Sequence, residues 1–296
     1  WTLLFVLINQ IGYLIIVKVA TSAAVQAKIE GITTGVGFTP YSYAYFIFIL
    51  PHSIITVSVI TALLPKISRL AHEGNSEAVK KNLVDSLRNI AVATAPSTVL
   101  FIAFGTAIAS ILYAGSSAAD SRQIGLVLAG FAIGLIPFST MPLLLRGFYA
   151  YEDTKRPVII NLFATGAMML LAVLAENLVP FQYVTVALAI ILGLSNVLGT
   201  LLSIRSLERK LGRFPKRALL LTHVKLLALS CLAIAPGFLL FTVIKSWIGQ
   251  GLVSTFCALA AGGSIFAVTY IYGGRAAKVE EITTLYRELM AKFRRK

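Results

Sequence analysis

Acidic side chains are scarce in this chain. Asp and Glu number 12 against 26 Lys and Arg in 296 residues, and no carboxylate falls inside a long apolar stretch short of Glu176, which closes one of them. The paired acids of a general acid–base catalyst, or the acidic metal-binding motif of a lipid-linked glycosyltransferase, are therefore missing. A Walker A loop and an HExxH sequence are also absent, which leaves nucleotide hydrolysis and membrane proteolysis without their machinery. A channel would carry a repeated filter or a charged ring, and neither is seen. The two cysteines, Cys231 and Cys257, both fall in apolar runs. They make no disulfide framework or metal-ligand pair and are expected to be buried thiols. No metal, cofactor or catalytic role is expected.

What is abundant is apolar surface. Hydrophobic residues make up 57% of the chain, charged residues 13%, and the mean hydropathy is +0.85. A soluble domain of this size could not carry that balance. Eight stretches of about 20 residues or more, each enough for one crossing of a ~30 Å hydrocarbon core, occupy most of the length. They are 1–25, 41–65, 91–113, 124–147, 157–176, 183–204, 219–244 and 250–273. Because every backbone polar group in lipid must be satisfied internally, the expected fold is all-α: a polytopic membrane helix bundle of eight transmembrane helices. Residue 1 is Trp, and the chain opens inside an apolar stretch without a charged leader, as a carboxy-terminal or middle part of a longer protein would.

The net charge of +14 would point towards nucleic acid in a soluble protein, but here it marks one side of a bilayer, and no nucleic-acid partner is expected. Twenty-one basic residues lie in alternate connections (66–90, 146–156, 205–217) and in the tail, against Lys28, Arg122 and Lys245 on the other side. The positive-inside rule makes the basic connections and both ends cytoplasmic. The organisation expected is a six-helix lobe over 1–204, a basic linker over 205–218 containing Gly212 and Pro215, a terminal helix pair over 219–273, and a basic tail over 274–296. Within 66–90, Val79, Leu83, Leu87 and Ile90 recur at helical spacing, so this segment either lies along the inner leaflet or packs as an ordinary loop helix. The tail alternates charges with Ile282, Leu285, Leu289 and Phe293, a pattern suited to anionic membrane lipid.

Polar groups inside a bilayer are costly, so each is a functional candidate. Asn9, Gln10 and Lys18 lie in the first span, and Tyr41, Tyr43, Tyr45, His52 and Ser53 in the second. Asn161, Ser195, Asn196, His223 and Lys225 complete the set, the last two close enough to a helix end to snorkel. Tyr41 and Tyr45 share a face at i, i+4, and Pro51 interrupts their helix, as in helices that line transporter cavities. Interhelical hydrogen bonding and an interfacial aromatic belt are the competing roles. The cavity candidates are Asn9, Gln10, Lys18, Tyr45, His52 and Ser53.

Two runs resemble the MurJ (MviN) lipid II flippase family. Leu63-Leu64-Pro65-Lys66-Ile67-Ser68-Arg69-Leu70-Ala71 is similar to that family's LLP-x-(L/I)SR-x-A loop, and Phe148-Tyr149-Ala150-Tyr151-Glu152-Asp153-Thr154-Lys155-Arg156-Pro157-Val158 to its FYA-x-x-DT-(R/K)-x-PV turn. Asn9-Gln10, Leu50-Pro51 and Ser195-Asn196 fall where the family has related pairs, and the variants are nearest the actinobacterial branch. The resemblance implies the second lobe and terminal helix pair of a fourteen-helix MOP-superfamily transporter, with the amino-terminal lobe outside this chain. It implies a bacterial inner-membrane flippase for undecaprenyl-pyrophosphate-linked disaccharide pentapeptide, driven by protons or membrane potential. Its partners would be lipid II, anionic lipid at the basic loops and tail, and the missing lobe. Where many members have an Asp-Arg pair this chain has Tyr45 and Phe46, so Lys18 or the other lobe would supply the cation. Positions that bind sodium in some members fall near Met168 and Ala172, which argues against sodium coupling. The alternatives are an exporter of another lipid-linked glycan or of drugs, and a non-transporting scaffold for cell-wall enzymes.

Overall fold

The structure, a computed structural model, describes residues 1–32, 35–249, 251–279 and 281–283. Ten α-helices and one π-helical turn make up its regular structure, with no strand among the described residues. In chain order they are α1 (Thr2–Ile29), α2 (Phe38–Pro51), the π turn (His52–Thr56), α3 (Val57–His72), α4 (Ser76–Leu112), α5 (Ala118–Ile133), α6 (Leu135–Tyr149), α7 (Lys155–Leu178), α8 (Phe181–Leu211), α9 (Lys216–Ile248) and α10 (Leu252–Ala276). Seven spans are long and apolar enough to cross a membrane, and the bent pair α5–α6 makes an eighth. With that pair counted as one span, the spans among the described residues match the eight expected from the sequence.

Two spans are broken, one by a local cause and one at a close helix contact. Pro51 lacks the N–H that an α-helix needs, and the helix continues through the π turn before resuming as α3. Between α5 and α6 the axis bends by 47° at Gly134. There α8 presses against the bend so closely that a Cβ on Gly134 would collide with the backbone of Gly193, and one on Gly193 would lie 2.8 Å from the Cα of Gly134. Only a pair of glycines permits that approach.

The segment 66–90 is divided between α3 and α4 by a short turn. Gly74 takes the left-handed conformation at φ +72°, and the Asn75 side chain caps α4 by accepting from the Ala78 N–H at 3.0 Å. Val79, Leu83, Leu87 and Ile90 are buried, and they join Leu144, Phe148 and Leu207 in one apolar cluster, so protein rather than lipid covers this face. A second cluster, around Phe48, Phe131 and Leu188, fills the opposite end of the lobe. The terminal pair α9–α10 packs on α4 through a third.

The turn after α6 is a clasp. Asp153 accepts from the Arg156 N–H at 3.0 Å and pairs with Lys210 of α8 at 3.2 Å, while Arg156 donates to Ser206 at 2.9 Å. Burial alone would raise the Asp153 carboxyl, but these donors and the two nearby cations bring it below the ordinary carboxylate range. The run that resembled a family motif thus ties α6, α7 and α8 together at the basic end. Cys231 and Cys257 are exposed on the outer surfaces of α9 and α10, not buried in protein as expected. In a membrane-spanning pair, an outward-facing thiol meets lipid, which is apolar enough to accept it. Of the tail 274–296, residues 280 and 284–296 lie outside the described residues, and with them Leu285, Leu289 and Phe293.

Candidate functional site

Between the two apolar clusters of the lobe lies a cavity of about 630 Å³. Its floor is made by α6, α7 and α8, where Met141, Leu145, Asn161, Ala164, Thr165, Met168 and Ser195 are buried. Its rim is made by α1 and α2, where Asn9, Tyr13 and Phe46 line it while remaining exposed. Phe5, Asn9, Tyr13 and Ile16 run along one face of α1 at i, i+4, i+8 and i+11, which carries the cavity roughly 16 Å along the helix axis.

The lining is polar for a chain of this hydropathy. Three amides (Asn9, Asn161, Asn196), three aliphatic hydroxyls (Ser42, Thr165, Ser195), four phenols (Tyr13, Tyr41, Tyr45, Tyr149) and one guanidinium (Arg146) face the same space. Several are held by their own helix: Asn9 donates to the Phe5 carbonyl at 3.0 Å, Asn196 and Ser195 to that of Leu192 at 2.8 Å, and Ser42 to that of Thr39 at 3.0 Å. Two are not. The Asn161 side chain is 5% exposed, and its amide nitrogen has no partner among the described residues, although its oxygen accepts from Thr165 at 3.5 Å. The Nε of Arg146 is buried and likewise without a partner, while the guanidinium lies over the Tyr149 ring at 5.5 Å from its centroid.

Of the polar groups read from the sequence, the cavity gathers Asn9, Tyr45, Asn161, Ser195 and Asn196, and Tyr41 beside Tyr45 as their spacing placed them. Gln10, one residue from Asn9, is exposed outside it, as is Ser53. Lys18 is exposed and lies nine residues from Asn9, half a turn around α1, so the two point to opposite sides. His52 is half-buried behind the cavity wall, its Nδ1 3.3 Å from the buried Ser139 hydroxyl and its ring edge-on to Phe138 at 4.8 Å. Met168 lines the cavity and Ala172 is fully buried, so both positions present apolar groups. No set of three His, Cys, Asp or Glu able to hold a metal occurs among the described residues.

Sequence reasoning missed Arg146. It counted among the basic residues of the connection 146–156, yet it belongs to the last turn of α6 and faces inward. The available signal was its position three residues before Tyr149 on a helix, which puts cation and ring on one face.

A bundle of membrane-length helices, two of them broken, around a polar space accessible from one side is the architecture of a polytopic membrane transporter. Sequence comparison makes this specific. The family described as lipid II flippase MurJ matches residues 1–262, and the chain belongs to that family. A probable lipid II flippase MurJ from Synechocystis sp. is 25% identical over 258 residues, 86% of this chain and 47% of the relative. One from Rhizobium tropici is 30% identical over 142 residues, 46% of this chain and 27% of the relative. The solved structure of a lipid II flippase MurJ in an inward closed conformation superposes with a TM-score of 0.60 at 19% identity, over 81% of this chain and 47% of that one. The chain thus spans about half the length of the first of these relatives and of that structure.

Proposed function

We propose that this chain forms one lobe of a lipid II flippase and that its cavity takes part of the polar head group during passage between leaflets. The observation that carries this reading is the 630 Å³ cavity, which concentrates amides, hydroxyls and a guanidinium in a chain otherwise built for lipid. A polyprenyl tail can stay in the bilayer, but the sugar, peptide and pyrophosphate must exchange water for other polar partners. Amides and hydroxyls supply neutral partners for sugar and peptide, and the cation supplies a partner for negative charge. The exposed rim on α1 and α2 leaves the cavity open to a second lobe, which completes the passage for so bulky a head group.

The basic connections set the orientation: the ends of α6 and α8 and the turn between α3 and α4 face the cytoplasm, next to anionic lipid. An inside-negative potential of about 100 mV then favours outward movement of each negative charge of the cargo by about 2.3 kcal/mol. Asn9, Tyr45, Asn161 and Arg146 contact the head group, whereas Lys18, Gln10, His52 and Ser53 act outside this cavity.

The test is depletion of the complete protein in its own bacterium, with the lipid-linked precursor assayed at the cell exterior. Lipid II should accumulate inside and vanish from the outer surface. Unchanged exposure in a strain with no other flippase defeats the proposal, and accumulation of a different lipid-linked glycan reassigns the cargo.

A further inference from the structure

We propose that Arg146 and Asn161 form the subsite that holds the pyrophosphate of the cargo at the basic end of the cavity, an assignment that rests on the flippase reading above. Both side chains line the cavity, and both carry nitrogen donors that no described residue uses. The other amide and aliphatic hydroxyl donors of the lining are engaged by their own helix, which sets these two apart. A donor nitrogen buried beside a cavity without a partner is costly, and an oxyanion arriving there removes that cost.

The chemistry of the pair suits phosphate. The Arg146 guanidinium carbon lies 5.5 Å from the Tyr149 ring centroid, within cation–π range, and a guanidinium can recognise phosphate through two parallel hydrogen bonds. No ion pair to Arg146 occurs among the described residues, so nothing there competes with an incoming anion. Asn161 adds a neutral donor to a second oxygen.

Depth decides between phosphate and the other anions of the cargo, its peptide carboxylates. Arg146 lies three residues from the end of α6, and Asn161 six residues from the start of α7, so their Cα atoms differ in depth by roughly 5 Å. The turn that joins the two helices carries the Asp153–Lys210 pair and faces the aqueous boundary. Arg146 is therefore about one turn inside that boundary, at the level where a membrane-anchored lipid carries its phosphates. A flexible peptide has no reason to stop at that level.

The complete protein, reconstituted in neutral lipid, should be titrated with undecaprenyl pyrophosphate, with lipid II and with uncharged undecaprenol. Arg146→Gln should weaken both pyrophosphate ligands about tenfold or more, Arg146→Lys less, and Asn161→Leu by several-fold, while undecaprenol binding stays unchanged. Thermal unfolding of each variant separates lost binding from lost folding, and Arg146→Lys keeps the test alive if the neutral variant does not fold. Weakened binding of lipid II with unaltered binding of undecaprenyl pyrophosphate assigns the subsite to a peptide carboxylate and overturns the proposal. Wild-type affinity for both ligands in Arg146→Gln overturns it too, yet leaves the flippase reading standing. Failure of the wild-type protein to bind or move lipid II removes both.

Discussion

The first six spans, α1–α8, and the terminal pair α9–α10 are made from similar apolar residues, yet they treat their polar groups in opposite ways. In the first six, polar side chains of α1, α2, α6, α7 and α8 converge on one cavity. In the terminal pair they do not gather: Lys245 donates to Thr255 across the pair at 2.7 Å, Tyr270 donates to Val92 of α4, and Lys225 is exposed. The buried positions of α9 from Leu226 onward, with Ser230, Ala233 and Gly237, form a single stripe at intervals of four, three and four. Those of α10 at Ala258, Gly262, Phe266, Tyr270 and Gly274 recur every four residues. Gly237 and Gly262 bring the two backbones together where a Cβ on Gly262 would lie 2.6 Å from the Gly237 carbonyl oxygen. The rest of the pair's surface, such as Leu232 at 75% and Trp247 at 86% exposure, is left for lipid. In a membrane, then, exposure of apolar surface is ordinary, and the location of the polar groups carries the information about function.

That contrast can be broken or sharpened by mutation. The largest expected effect is from Gly134→Leu, because the bend between α5 and α6 has backbone, not a movable side chain, against it. Overpacking there should cost about 3 kcal/mol or more and remove folded protein from size-exclusion profiles, whereas Gly263→Leu on the open face of α10 should not. Asn161→Leu should reduce transport about tenfold while leaving the thermal midpoint unchanged or higher, since it deletes a buried amide nitrogen that lacks a partner. A lowered midpoint with normal transport would show that Asn161 serves packing instead.

Tyr270→Phe tests the seam between the two regions. The Tyr270 hydroxyl donates to the Val92 carbonyl of α4 at 2.8 Å in a buried site, and its loss should cost about 1–2 kcal/mol, seen as earlier detachment of the terminal pair in hydrogen exchange. The clasp at Asp153 should matter less. Its ion pair is partly exposed, so Asp153→Asn should cost about 1 kcal/mol or less and lower the midpoint by only about 2 °C. Because the folded state lowers this carboxyl, its contribution is complete above the ordinary carboxylate range and fades as pH falls through the lowered value, and the asparagine variant should lack that acid-side dependence. The smallest effect is expected for Leu232→Met, which exchanges one apolar side chain for another in contact with lipid.

The site was less legible than the spans. A span declares itself by twenty apolar residues in a row, and the eight crossings needed no knowledge of which helices touch. Facing direction is a different kind of fact. Asn9 and Gln10 differ by 100° on α1, and only the packing of α7 and α8 shows that Asn9 looks into the cavity. Tyr41 and Tyr45 shared a face in the sequence, and that face is the cavity's. Arg146 lines the cavity and Lys18 does not, the reverse of what their positions in the sequence suggested, because a cation inside a span draws attention and one beside a loop does not. Arg146 sits at the very end of the apolar span 124–147, and the burial of its nitrogen comes from how α6 packs there rather than from its place in the sequence.

By itself the sequence determined that the chain crosses a bilayer about eight times, that its basic connections alternate, and that one span is interrupted at Pro51, because hydropathy, charge and backbone freedom are local properties of each stretch. The tertiary structure alone decided which polar groups meet. Convergence on one cavity depends on how each helix is rotated about its axis, and that rotation is set by close contacts such as Gly134 against Gly193, made between residues far apart in the chain.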